Sequence, residues 1–212
     1  MPREALENTI RAFELALEAG ADAIELDVHC TSDGVPVVHH DPVLGDGSAI
    51  ASLNARELVQ RDANRARAIP ILAAVCELVA RRATLFVEVK GMGIERQVLE
   101  TLRHQKGDFA IHSFDHALVA RAHHIDPSMR LGVLLDKGTS WSVEHIAALM
   151  SSTGASDLWP HHSLVTGELV DAVHARRGCV FAWTVNSPRL ARTLALLRVD
   201  GLCSDDVRRM PH

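Results

Sequence analysis

Ala23-Ile24-Glu25-Leu26-Asp27-Val28 alternates apolar and acidic residues over six positions, the length and rhythm of a short β-strand. Ahead of it, Ile10, Phe13 and Leu17 share one face of a predicted helix over 7–18, with Leu6 leading in and Gly20 stopping it. After it, the turn Ser32-Asp33-Gly34 leads into a second extended run, Val35-Pro36-Val37-Val38-His39. The same alternation of short apolar runs and amphipathic segments continues to the end of the chain. Strands are expected at 85–89, 109–113, 130–135, 157–159, 179–184 and 201–203. Helices are expected at 52–59, 71–80, 94–104, 117–124, 142–150, 167–177 and 187–197, with Ser142 as an N-cap.

Such β/α alternation, with no linker and no low-complexity stretch, implies a parallel sheet covered by helices in a single domain over 1–212. An open doubly wound sheet and a closed (β/α)8 barrel both satisfy it. No G-x-G-x-x-G fingerprint follows the first strand, and the polar residues cluster where strands end, which favours the TIM-type barrel. With 35–39 read as an excursion returning toward the site, the count is seven barrel strands where eight are needed. The chain also opens directly on a helix, so the barrel is expected to lack its first strand.

Composition narrows the function. At 47% hydrophobic residues, 212 residues can bury a sizeable core. A formal charge of -5 and no Tyr argue against a nucleic-acid partner, which calls for basic excess and stacking platforms. No apolar run reaches the 18 or so residues of a membrane span, and the N-terminus lacks the apolar core of a signal peptide. Cys30, Cys76, Cys179 and Cys203 form no C-x-x-C pair and read as small buried hydrophobes in a reducing, cytoplasmic compartment.

In Glu25-Leu26-Asp27 the carboxylates are i and i+2 on a strand and point to the same face. Two unpaired carboxylates beside buried residues are costly, and a bound cation relieves that cost. A solvated strand end or pairing with Arg are the other readings. Glu88-Val89-Lys90 repeats the layout at the end of another strand, either as a plain ion pair or as a third carboxylate and an ammonium beside a phosphate. Hard oxygen donors favour Mg²⁺ or Ca²⁺ over Zn²⁺. In His39-His40-Asp41-Pro42, Pro42 holds Asp41 extended or in a turn, and alternation turns one of the two His toward the site, either as a structural residue of the strand end or as a general acid or base. Phe114 and Trp183, at two further strand ends, either wall an apolar patch of a ligand or pack the rim. The pairs His123-His124, His161-His162 and Asp205-Asp206 match no metal-ligand spacing and are assigned to loops and helix surfaces.

Taken together, these segments resemble the glycerophosphodiester phosphodiesterase family. The resemblance runs through Leu6-Glu7-Asn8-Thr9, Gly20 to Val28, Thr31 to Pro42, Ile69-Pro70, Phe86 to Lys90, Ser113-Phe114-Asp115, Ala182 to Asn186 and Val199-Asp200-Gly201, in family order. It implies a TIM-type barrel that cleaves a small-molecule glycerophosphodiester to an alcohol and glycerol 3-phosphate. It implies a divalent cation, Mg²⁺ or Ca²⁺, held by Glu25, Asp27 and Glu88. It further implies His40 as an acid/base residue, Lys90 as a phosphate contact, and Phe114 and Trp183 as the lining of the substrate-head pocket. The route it implies uses the neighbouring glycerol hydroxyl as nucleophile, through a cyclic phosphate.

The family opens on a strand ending in His-Arg-Gly, and this sequence has Met1-Pro2-Arg3-Glu4-Ala5 where the segment after that Gly belongs. The 212-residue form is therefore expected to be weak or inactive, for want of one of two acid/base His. A one-residue register shift would exchange His39 and His40. The competing functions are a non-catalytic phosphate- or metal-binding barrel and a related barrel phosphodiesterase or lyase.

Overall fold

A computed structural model describes residues 5–62 and 69–210. Met1-Pro2-Arg3-Glu4 lies outside the described residues. The chain divides into two compact units, Met1–Ala110 and Ile111–His212.

In the first unit, α1 (Ile10–Glu18) begins three residues later than its apolar spacing suggests. Thr9 caps it, accepting from the Ala12 N–H at 3.3 Å, and Asn8 before it is left-handed at φ 56°. A helix cannot extend back through such a residue. β1 (Ala23–Cys30) runs two residues past its predicted end. The extension has a partner: β2 (Pro36–Val38) folds back antiparallel on it, pairing Val28 with Val38 and Cys30 with Pro36. Gly34, at φ 78°, supplies the left-handed turn this hairpin needs. The run 35–39 is thus an excursion off β1, as expected.

A single 3-10 turn at Ile50–Ser52 and then α2 (Ala55–Asp62) replace the one short helix expected at 52–59. Next come α3 (Leu72–Val79), β3 (Thr84–Val89) and α4 (Glu95–Arg103). β3 lies parallel to β1, with Asp27 opposite Glu88 and Val28 opposite Val89. Ile24, Leu26, Val28, Leu85, Val87 and Val89 form the apolar face of this strand pair, none more than 4% exposed. That burial stabilises the unit by roughly 1.5–3 kcal/mol for each large side chain.

β4 (Asp108–Ser113) spans the division, and α5 (His116–Ile125) follows it. The second unit continues with β5 (Arg130–Leu135), α6 (Val143–Thr153), β6 (Asp157–Pro160), α7 (Gly167–His174), β7 (Cys179–Ala182), α8 (Pro188–Leu196) and β8 (Gly201–Leu202). β5, β6, β7 and β8 are neighbours in that order, all parallel. Ser142 caps α6, accepting from His145 N–H at 3.2 Å, and Ser187 caps α8. His123 and His124 fall in the last turn of α5.

An aromatic layer fills one face of the second unit. His112 stacks on Trp159 at 4.4 Å, Trp159 on Phe181 at 4.8 Å, and the Arg130 guanidinium lies 5.4 Å from the Phe181 ring. Gly132 makes room for the layer, since a Cβ there would meet Trp159 at 2.9 Å. At the starts of β5 and β6, Arg130 donates to both oxygens of Asp157, at 2.7 and 3.2 Å. Burial pushes the Asp157 carboxyl up, and Arg130 works against that. The Asp157→Ala protein is expected to lose about 1–3 kcal/mol in equilibrium denaturation, the lower end if Arg130 turns to solvent. An unchanged midpoint would show the pair to be neutral.

Candidate active site

Alternation along β1 and β3 puts Glu25 and Asp27 on the face opposite Ile24, Leu26 and Val28, and puts Glu88 beside them. Lys90 continues the ladder just past β3, its N–H donating to the Val28 carbonyl at 3.1 Å. Its ammonium lies 3.1 Å from Asp27 Oδ1 and 3.6 Å from Glu88 Oε1. Carboxylate oxygens of Glu25 and Glu88 come within 4.8 Å of each other. So Glu25, Asp27, Glu88 and Lys90 form one cluster at neighbouring strand ends.

The electrostatics follow from that crowding. Burial, then the charge of Asp27, pushes the Glu25 carboxyl up to about 8, against the pull of Lys90 and His40. Burial alone would lower the Lys90 ammonium, but Asp27, Glu88 and Glu25 together outweigh it and raise it. Three carboxyl groups thus crowd around the Lys90 ammonium. The carboxylate donors of this unit are oxygens, which suit a hard divalent cation. The residues present therefore fit the cation the sequence implied.

The histidines enter through the hairpin. His39 N–H donates to the Asp27 carbonyl at 3.0 Å, which carries the β1–β2 register up to the acidic cluster. The His39 ring folds onto its own loop, its Nδ1 2.8 Å from the Asp41 carbonyl. His40 instead has Nδ1 2.9 Å from the Asp41 carboxylate, and it is the His40 charge that reaches Glu25. The His40 hydrogen bond in turn holds the exposed Asp41 carboxyl below its usual range. Asn8, Thr9, His39, His40, Asp41 and Ile69 border a cleft of about 50 Å³.

Two residues of this unit escaped sequence reasoning. Asn8 donates to Asp27 Oδ2 at 2.8 Å and accepts from the Asp27 N–H at 3.2 Å. His29 continues the Glu25, Asp27 face of β1, and its Nε2 lies 3.2 Å from the His40 carbonyl. Burial holds the His29 ring below its usual range. The i+4 spacing of His29 from Glu25 on a strand was the available signal.

In the second unit, Phe114 and Trp183 meet edge to face at 5.5 Å. Trp183 is held from several sides. Its indole N–H donates to the Trp159 carbonyl at 2.9 Å, its carbonyl accepts from His162 N–H at 2.7 Å, and His161 packs edge-on at 5.2 Å. The neighbouring polar residues of the matching segments serve as struts. Asp115 caps α5, accepting from Leu118 N–H, and Asn186 accepts from Asp205 N–H while donating to its carboxylate. Asp206 pairs with Arg208, which holds its carboxyl down at about 2.

Comparison with known proteins finds relatives along nearly the whole chain. The glycerophosphodiester phosphodiesterase of Bacillus altitudinis is 32% identical, over 94% of this chain and 89% of that protein. That of Caldanaerobacter subterraneus is 30% identical over 94% of this chain and 88% of that protein. The crystal structure of the Thermotoga maritima glycerophosphodiester phosphodiesterase superposes with a TM-score of 0.85 at 27% identity, covering 97% of this chain and 91% of that one. The Oleispira antarctica phosphodiesterase, solved with sn-glycerol-3-phosphate, shares the fold with a TM-score of 0.84 at 24% identity, covering 96% and 89%. The fold class is accordingly the α/β TIM-type barrel. No described helix is long and apolar enough to cross a membrane. Residues 1–209 match the Glycerophosphoryl diester phosphodiesterase family, and the chain belongs to it.

Proposed function

We propose that this protein hydrolyses glycerophosphodiesters to an alcohol and glycerol 3-phosphate, using a divalent cation held by Glu25, Asp27 and Glu88. The observation that carries the reading is the cluster of three carboxylates around Lys90 at neighbouring strand ends. Mg²⁺ and Ca²⁺ both suit carboxylate oxygen donors. When bound, the cation supplies positive charge against the developing charge at phosphorus.

The protein groups divide the remaining work. Lys90 offsets negative charge on the non-bridging phosphate oxygens. The glycerol hydroxyl next to the phosphodiester attacks phosphorus, the P–O bond to the alcohol breaks, and a cyclic phosphate forms. Water then opens the ring to glycerol 3-phosphate. His40, with Nδ1 held by Asp41, moves a proton in this sequence through its other nitrogen. Phe114 and Trp183 take the apolar surface of the substrate head, and the restraints on the Trp183 ring support a fixed wall. The thiols of Cys30, Cys76 and Cys179, the first two buried, support action in the reducing cytoplasm.

Glycerophosphocholine is the test substrate, with Mg²⁺ or Ca²⁺ and with EDTA, and released choline and glycerol 3-phosphate are both measured. Equal release of the two, abolished by EDTA, is the expected result. Cation binding with no release would establish a binding protein. Choline release with a lasting cyclic phosphate and no glycerol 3-phosphate would establish a lyase.

A further inference from the structure

We propose that Asn8 is a positioning residue that sets the carboxylate of Asp27 for the cation. This rests on Asp27 being a cation ligand, as proposed above. Asn8 lies 19 residues from Asp27 in sequence and makes two contacts with it from one side-chain amide. The Asp27 N–H can only donate, so the amide oxygen faces the backbone and the amide nitrogen faces the carboxylate. The two contacts leave the amide one orientation.

The consequence falls on Asp27. Its side chain is nearly buried, and its two oxygens have different partners. Oδ2 accepts from Asn8, and Oδ1 is turned to Lys90, on the side of Glu88. Asn8 thus ties down one oxygen and leaves the other toward the acidic cluster. It does so as a neutral donor, adding no charge that would compete with a cation. A cationic side chain at this place would weaken cation binding, and a carboxylate would repel Asp27.

The local backbone explains why Asn occupies the position. Asn8 sits at φ 56°, a region that Asn tolerates better than most residues other than Gly. The turn is braced by Thr9, whose hydroxyl donates to the Leu6 carbonyl at 2.6 Å and accepts from Ala12 N–H. The left-handed turn immediately before α1 is therefore what delivers the amide to β1. Partners that orient a metal ligand typically change affinity by about 10–100-fold when removed.

The test uses the whole chain with Asn8→Gly and Asn8→Asp. Glycine keeps the left-handed turn and removes the amide. Aspartate keeps the turn and the acceptor for Asp27 N–H, but loses the donor to the carboxylate. Ca²⁺ and Mg²⁺ affinities are measured by calorimetry, alongside cation-free thermal unfolding and kcat and KM on glycerophosphocholine. Both variants are expected to bind the cation at least about tenfold more weakly. The loss in turnover should appear in kcat at saturating cation, with KM for substrate little changed. In an Asp27→Ala background, Asn8→Gly should cost little further cation affinity, because the carboxylate it sets is gone and only the contact with the backbone N–H of residue 27 remains. Unchanged cation affinity in either folded variant would overturn the proposal, as would an undiminished Asn8→Gly effect without the Asp27 carboxylate. If Asn8→Gly does not fold, Asn8→Asp carries the comparison alone. An unaltered protein that binds neither cation would overturn the ligand reading itself, and the role of Asn8 with it.

Discussion

Glu88→Gln is expected to lower turnover of glycerophosphocholine by about 10³-fold or more, because a bound cation supplies several kcal/mol of transition-state stabilisation. The folded structure should survive, since Gln keeps the shape of Glu88 at the end of β3 and removes one negative charge from a crowded cluster. Calorimetry should show the cation affinity falling together with turnover. Full cation affinity in Glu88→Gln would remove Glu88 from the ligand set.

The same site predicts a pH dependence. Without cation, burial and Asp27 hold the Glu25 carboxyl up at about 8, whereas the unfolded chain ionises it near 4.5. Between those values the folded protein holds the extra proton, so the Glu25 contribution makes cation-free stability fall as pH rises. A cation must displace that proton. Its affinity should therefore increase with pH up to about 8 and then level off, with proton release on binding near neutrality. Saturating Ca²⁺ should offset the loss of stability over the same range. Glu25→Gln should abolish the proton release together with most of the affinity. Titration in buffers of different ionisation enthalpy measures the release directly, and none at pH 7 would contradict this account.

His40→Asn is expected to lower kcat by about 10²–10⁴-fold, the usual range for a general acid or base. Cation affinity should stay close to that of the unaltered protein, because His40 is not among the donors. His39→Asn should cost far less. The His39 backbone, not its ring, is bonded to Asp27, and the ring folds onto the Asp41 carbonyl. The His40 ring pairs with the Asp41 side chain, and its charge acts on Glu25. Asp41→Asn provides an intermediate case, since it keeps a hydrogen-bond partner for His40 without the charge. A large loss in His39→Asn with little in His40→Asn would exchange the two roles.

The acidic cluster was legible in the sequence because strand periodicity is local. Glu25 and Asp27 share a face at i and i+2, Glu88 and Lys90 do the same, and each set follows an apolar run that marks a buried strand. Strand and helix identities were legible for the same reason, and the expected caps Ser142 and Gly20 fall next to their helices. The bounds were less so. β1 ran on to Cys30 because β2 came back to pair with it, and α1 began late because Asn8 turned left-handed.

What the chain alone determined, then, is the order of strands and helices, the face on which each charged pair lies, and the family those segments resemble. Periodicity and turn chemistry act over a few residues and need no partner. Only the tertiary structure decided which distant groups meet. The register of β1 against β3 brought Asp27 opposite Glu88, 61 positions along, and placed Lys90 between them. The turn before α1 brought the Asn8 amide to Asp27, and the return of β2 brought His40 near Glu25. Such contacts depend on how elements pack, and no spacing within one element encodes them.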